Sequence, residues 1–400
     1  MIPYGKQSIS QEDIDAVVSV LKSDFLTQGP VVPRFEKAFA KRVSVDFAVS
    51  TNSATSALHI ACLALGVTKG DIVWTSPITF VASSNCAIYC NASIDFVDID
   101  PATYNMSTEA LEQKLHNAEI NGTLPKVVIP VHLAGQSCDM KEIHNLSLKY
   151  GFKIIEDASH ATGGRYKEEP VGNCKYSDIS IFSFHPVKII TSGEGGMAVT
   201  NSREIAISMA SLRSHGITRD PDLMTIEPDG AWFYQQLELG FNYRMTDLHA
   251  ALGLSQLEQI KKFVEQRHKI ANKYFDQLNI DSIVLPFQHN NSYSSFHLFI
   301  LNFTDSEGSY SRNQAFNRLR ESGINVNLHY IPVYRHPFYQ KMGFNFNDFP
   351  VSESYYKQAI SIPIYPSLKD EQQRFVIDVI NSESVMKFDS RLNNGFQDLF

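Results

Sequence analysis

Ser180-Ile181-Phe182-Ser183-Phe184-His185-Pro186-Val187-Lys188-Ile189-Ile190-Thr191-Ser192-Gly193-Glu194-Gly195-Gly196-Met197 opens as an apolar run of strand type and carries a single lysine. It then passes through Gly193, Gly195 and Gly196 into a second short apolar run. A lysine on a loop between two buried strands is costly to desolvate unless its pKa falls or a partner neutralises it. A lysine with a lowered pKa is what Schiff-base chemistry requires. Read alone, the window also accommodates a lysine that snorkels to the surface at a strand end.

Outward from this loop the chain alternates. Strand-type runs at 47–50, 72–74, 94–97, 127–131 and 153–156 are separated by helix-type segments, among them 79–90, 108–120 and 140–150. The alternation predicts an α/β fold: a large domain with a mostly parallel sheet between helices, and ligands at the carboxyl ends of the strands. Asp157 follows one such strand, and the small hydroxyl residues Ser53-Ala54-Thr55 follow another. Ser53 reads either as an ordinary helix cap or as part of an anion site at a helix N-terminus.

Two helices precede the first strand. Ser10 with Asp13 caps one whose apolar stripe is Ile14, Val17, Val18 and Leu21, and the second covers 32–42. Downstream, Thr246-Asp247 caps a long helix over 248–278 that reads as a spine joining two domains. Strands at 296–303 and 326–330 around a helix at 313–322 predict a smaller C-terminal α+β domain. The expected division is 1–250 and 251–400, with the stretch after residue 385 an ordered arm or a loose tail.

Composition narrows the function classes. With 400 residues, 43% hydrophobic and 20% charged, the chain is of globular enzyme size. A net charge of -8 and no basic patch interleaved with aromatics argue against nucleic acid as a partner. Five scattered cysteines without paired metal spacing read as reduced thiols in a cytoplasmic protein that holds no metal. No 18-residue apolar run occurs, and the acidic, amphipathic start is unlike a signal peptide, so no membrane association is expected.

Three strand-end features therefore ask for one explanation: the turn at Ser53, the carboxylate of Asp157 and the amine of Lys188. Pyridoxal phosphate accounts for all three. Its aldehyde condenses with a lysine, its ring nitrogen needs a carboxylate, and its phosphate needs amides and hydroxyls at a helix N-terminus. The chain also resembles the DegT/DnrJ/EryC1/StrS family of sugar aminotransferases, of fold-type I among pyridoxal phosphate enzymes, from Ile2 to about Leu368. The resemblance is carried by Leu26-Thr27-Gln28-Gly29-Pro30, Thr75-Ser76-Pro77-Ile78-Thr79-Phe80-Val81-Ala82, Glu156-Asp157-Ala158-Ser159-His160-Ala161, the Lys188 loop, Arg213-Ser214-His215-Gly216 and Gly240-Phe241-Asn242-Tyr243-Arg244-Met245-Thr246-Asp247.

That resemblance implies a seven-stranded type of sheet and a set of roles. Lys188 would bond the cofactor and shuttle a proton, Asp157 would hold the ring nitrogen, and Phe80 would stack on the ring. His160 would lie near the ring hydroxyl. Ser53, Ala54, Thr55 and Ser183 would bind the phosphate, joined by Asn242 of the other subunit of a homodimer with shared sites. Tyr4, Lys6, His329 and Tyr330 would face the substrate. Core packing for Phe80, a structural role for His160 and interface packing for His329 and Tyr330 are the plain alternatives. His185, followed by proline, is expected to shape the loop.

His249 replaces a glutamine found in many relatives. Lys188 stands where some relatives carry a histidine and act as dehydratases. The implied reaction moves an amino group from L-glutamate to C4 of a UDP-linked 4-keto-6-deoxy-N-acetylhexosamine. The competing readings are another nucleotide ketosugar as substrate, or a non-catalytic binding protein that kept the fold.

Overall fold

The computed structural model describes residues 1–278, 282–304 and 311–382. The stretch after residue 385 lies outside them. Ser10 and Asp13 form a reciprocal capping box that starts α1 (Gln11–Leu21). The helix docks through its polar side: Asp13 is fully buried, and its Oδ2 accepts from Gln256 Nε2 at 2.6 Å. The apolar stripe does not face the core: Ile14 is 47% and Leu21 57% exposed. α2 (Val31–Val43) sends Phe35 and Phe39 into a buried aromatic cluster with Phe182 and Phe184.

Seven strands form the main sheet: β1 (Phe47–Thr51), β2 (Ile72–Thr75), β3 (Ser93–Phe96), β4 (Val127–Ile129), β5 (Lys153–Asp157), β6 (Ile179–Ser183) and β7 (Gly196–Thr200). Their order is β1-β7-β6-β5-β4-β2-β3. β7 runs antiparallel to both its neighbours, and the pairs from β6 across to β3 are parallel. The parallel strands are apolar on both faces because helices cover both. These include α3 (Ala54–Ala64), α4 (Ala82–Tyr89), α5 (Thr108–Asn121), α6 (Met140–Tyr150) and α7 (Arg203–Arg213).

The expected single helix at 248–278 is two: α8 (Asp247–Glu258) and α9 (Ile260–Gln277). The break at Gln259 lets α8 stay with α1, where Gln259 Nε2 donates to Ser10 Oγ at 3.1 Å. α9 turns away to cover a second, three-stranded sheet of β8 (Ile283–Val284), β9 (Phe299–Phe303) and β10 (Ala359–Ile362). The strand expected at 326–330 does not form. Asn327 makes one isolated bridge with Ser361, after which the chain leaves the sheet for the cleft. The chain's beginning belongs to this second layer: Ile2 bridges Ile324, donates to Gly323 O at 2.8 Å and accepts from Asn325 N at 2.7 Å. No helix among the described residues is long and apolar enough to cross a membrane.

Candidate active site

The cleft lies at the carboxyl ends of the parallel strands. Asp157 ends β5 and is 5% exposed. Its Oδ2 accepts from Ser83 Oγ at 2.6 Å and its Oδ1 from the Ser159 amide at 3.1 Å. Lys188 sits on the loop between β6 and β7, which Phe184 and Gly195 close at 2.9 Å and which the Lys188 amide tightens on His185 O at 2.9 Å. The residue keeps some exposed surface, yet burial of its amine pushes the pKa from 10.5 down to about 8, against the pull of the Asp157 carboxylate.

Ser53 caps α3, its Oγ accepting from the Ser56 amide at 3.1 Å. The Ser56 and Ala57 amides are taken by Ser53, whereas those of Ala54 and Thr55 have no partner among the described residues. A helix start with free amides is an anion site. Gly196 pairs with Ser183 across the β6–β7 ladder and lies directly under this turn. Ser183, Ser53, Ala54 and Thr55 are thus brought to one place.

On the other wall stand His160, His329 and Tyr330. His160 is 4% exposed, with Nε2 3.0 Å from the Tyr330 hydroxyl and Nδ1 buried without a partner. His329 holds Ser361 Oγ at 2.8 Å and lies with its ring 5.2 Å from Tyr4. Burial, then the nearby Lys188 charge, pushes His329 down to about 3 and holds His160 well below the usual imidazole range. Phe80 presents a ring that is 58% exposed, 6.2 Å from that of Tyr330. Lys6 is exposed and shares a small cavity with Lys188, Gln256 and Arg267. Asn242 is not gathered with the rest: it is exposed and bridges Ser214 through its backbone.

Two residues in the cleft wall escaped the sequence reading. His297 is buried with its ring 4.4 Å from that of His160, and Ser83 is the hydroxyl on Asp157. His297 falls inside an apolar strand-type run and Ser83 inside a helix of small residues, so neither carries a local signal. The arrangement combines a partly neutral amine, a buried carboxylate, free helix amides and an open aromatic face. That set fits a phosphorylated aromatic aldehyde, since the orphaned imidazole nitrogen and the two free amides both lack a partner that it can supply.

The fold and cleft are those of a protein built to hold pyridoxal phosphate, and the comparisons with known proteins give its class as a sugar aminotransferase. The chain belongs to the DegT/DnrJ/EryC1/StrS aminotransferase family, whose sequence model matches residues 7–381. It is 38% identical to the UDP-4-amino-4,6-dideoxy-N-acetyl-β-L-altrosamine transaminase of Campylobacter jejuni strain 81-176, over 96% of this chain and 97% of that protein. It is 33% identical to the GDP-perosamine synthase of Escherichia coli O157:H7, over 95% of this chain and 98% of that protein. Among solved structures it resembles Helicobacter pylori PseC, an aminotransferase involved in the biosynthesis of pseudoaminic acid (TM-score 0.86, 28% identity, 96% of this chain and 98% of that one). It is equally similar to the putative sugar aminotransferase Spr1654 of Streptococcus pneumoniae, described in PLP and PMP forms (for the latter, TM-score 0.87, 28% identity, 96% of this chain and 100% of that one).

Proposed function

We propose that the protein transfers an amino group from L-glutamate to C4 of a UDP-linked 4-keto-6-deoxy-N-acetylhexosamine, giving UDP-4-amino-4,6-dideoxy-N-acetyl-β-L-altrosamine on the route to pseudaminic acid. The observation that carries amino transfer is the amine of Lys188, with a pKa of about 8, in one cleft with the Asp157 carboxylate. The choice of sugar is supported by the 38% identical Campylobacter relative. A second reading, another nucleotide ketosugar, is favoured by the GDP-perosamine synthase at 33% identity.

Pyridoxal phosphate, when bound, supplies an electron sink and carries the amino group between the two substrates. The amides of Ala54 and Thr55, with Ser53 and Ser183, would hold its phosphate, and Asp157 the protonated ring nitrogen. Phe80 would cover the ring face and His160 would stand by the ring hydroxyl. Lys188 would hold the cofactor between turnovers. Once free, its amine would carry a proton between the substrate carbon and the cofactor carbon on either side of the transferred nitrogen, a task suited to a base with a pKa near neutrality. Tyr4, Lys6, His329 and Tyr330 would face the sugar nucleotide.

The working unit in this reading is a cytoplasmic homodimer. The exposed stripe of Ile14 and Leu21, continued by Phe25 at 55% exposure, is the kind of surface that a partner covers, and exposed Asn242 would reach the partner's phosphate site. Five free, buried cysteines suit a reducing compartment. The test is incubation with L-glutamate and a panel of UDP-, GDP- and dTDP-linked ketosugars, with products resolved by mass spectrometry and NMR. Turnover of the altrosamine precursor is expected; turnover of another ketosugar in its place overturns the sugar assignment.

A further inference from the structure

Asp157 is held by more than its own strand. Ser83 Oγ is 2.6 Å from Asp157 Oδ2, and Thr79 Oγ1 is 2.9 Å from Ser83 Oγ. Counting protons fixes the direction. An ionised carboxylate only accepts, so the single hydroxyl proton of Ser83 goes to Asp157. Thr79 must then donate to Ser83. Thr79 is 2% exposed, Ser83 1% and Asp157 5%, so solvent does not compete for these bonds. Two hydroxyls donating in series polarise each other, and the second strengthens the first.

These hydroxyls have no helix-capping duty. α4 is capped by Val81 without any side-chain bond, and Ser83 Oγ turns from the helix start toward Asp157. The other carboxylate oxygen takes the Ser159 amide, so each oxygen of Asp157 has one fixed donor and lone-pair capacity to spare. Phe80 lies in the same five-residue turn, so one short segment supplies both the exposed ring and the support of the carboxylate.

We propose that Thr79 and Ser83 are positioning residues whose hydroxyl chain aims the Asp157 carboxylate at the ring nitrogen of pyridoxal phosphate. This rests on the role given to Asp157 above. A carboxylate fixed by two donors keeps its orientation when the ring arrives, so less ordering remains to be done on binding.

The test uses cofactor-free protein titrated with pyridoxal phosphate, read by equilibrium binding and by the visible band of the bound cofactor. Ser83→Ala is expected to weaken binding about tenfold and to shift the band, and Thr79→Val to weaken it about threefold. Thr79→Ser, which keeps the hydroxyl, should stay within about twofold of wild type. Wild-type binding and an unshifted band in Ser83→Ala, alongside a damaged Asp157→Ala, overturn the relay alone. Wild-type behaviour of Asp157→Ala overturns the role of Asp157 and the relay together. If Ser83→Ala fails to fold, the Thr79 pair decides: equal damage in Thr79→Val and Thr79→Ser overturns the proposal.

Discussion

Gly196 packs so closely against the start of α3 that a Cβ placed on it would lie 2.5 Å from the amide nitrogen of Ala54. The clash is with backbone, which cannot swing aside as a side chain does. Gly196→Ala therefore pushes the helix start away from Ser183, the ladder partner of Gly196, and opens the proposed phosphate site. The expected result is at least about a hundredfold loss of pyridoxal phosphate affinity, measured by equilibrium dialysis. Unchanged affinity would show that the phosphate sits elsewhere.

The pKa of Lys188, about 8, makes a kinetic prediction. Only the neutral amine attacks an aldehyde, so capture of pyridoxal phosphate by cofactor-free protein should accelerate about tenfold per pH unit below 8 and level off above it. Stopped-flow absorbance between pH 6.5 and 9.5 reads this directly. A rate still climbing at pH 9.5 would mark an ordinary solvated lysine. Lys188→Ala should abolish capture at every pH.

Three buried histidines make the fold sensitive to acid. His329 is held at about 3, and His160 and His297 well below 6.5, in each case chiefly by burial. In the unfolded chain these rings titrate near 6.5, so between that value and about 3 the unfolded state binds more protons. Stability is then lost as pH falls. His329 alone should contribute a loss of about 2 kcal/mol between pH 6.5 and 5, and His160 and His297 act in the same direction. Urea unfolding at those two pH values reads the combined loss, and His297→Gln should make the fall of stability with pH shallower.

A site shared between subunits can be rebuilt from two dead proteins. Lys188→Ala and Asn242→Ala should each be inactive as purified, and denaturing and refolding them together should restore about a quarter of wild-type turnover. Half of the random dimers are mixed, and one of the two sites in each is intact. No recovery would place the work of Asn242 within its own chain.

The stripe on α1 makes a test of assembly. Ile14→Glu with Leu21→Glu puts two carboxylates on a face that is already exposed in the single chain, at 47% and 57%. The protomer fold should hold, and sedimentation should show monomers at concentrations where wild type is dimeric. An unchanged dimer would mean the partner docks on another face.

Much of the fold could be read before any coordinates. The strand-and-helix alternation, the Ser10 cap and the glycine-bounded loop are local signals, and local signals survive into the structure. The misreadings were all set by contacts between distant residues. Periodicity located the stripe of α1 correctly, yet which side faces inward is decided by Asp13 meeting Gln256. Continuous helical pattern hid the break at Gln259, because the two halves answer to different sheets. Residues 326–330 alternate Val326, Leu328 and Tyr330 with Asn327 and His329, a pattern that reads as a strand, but the cleft claims them. Ser83 and His297 belong to the site only through Asp157 and His160, neither of which is near them in sequence.

The stitch between Ile2 and Ile324 imposes an order on synthesis. All seven strands of the main sheet have emerged by residue 200, so that layer can assemble while the ribosome is still at work. The first residues, with Ile2 on Ile324 and Tyr4 against His329, find their seats only once residues 324–329 are made. A nascent chain halted at residue 300 would carry Asp157, Lys188 and the phosphate turn, yet its cleft would lack both of those walls. Closure of the cleft therefore waits for residues 324–329 to meet residues 2–4, well after the sheet that carries Asp157 and Lys188 is complete.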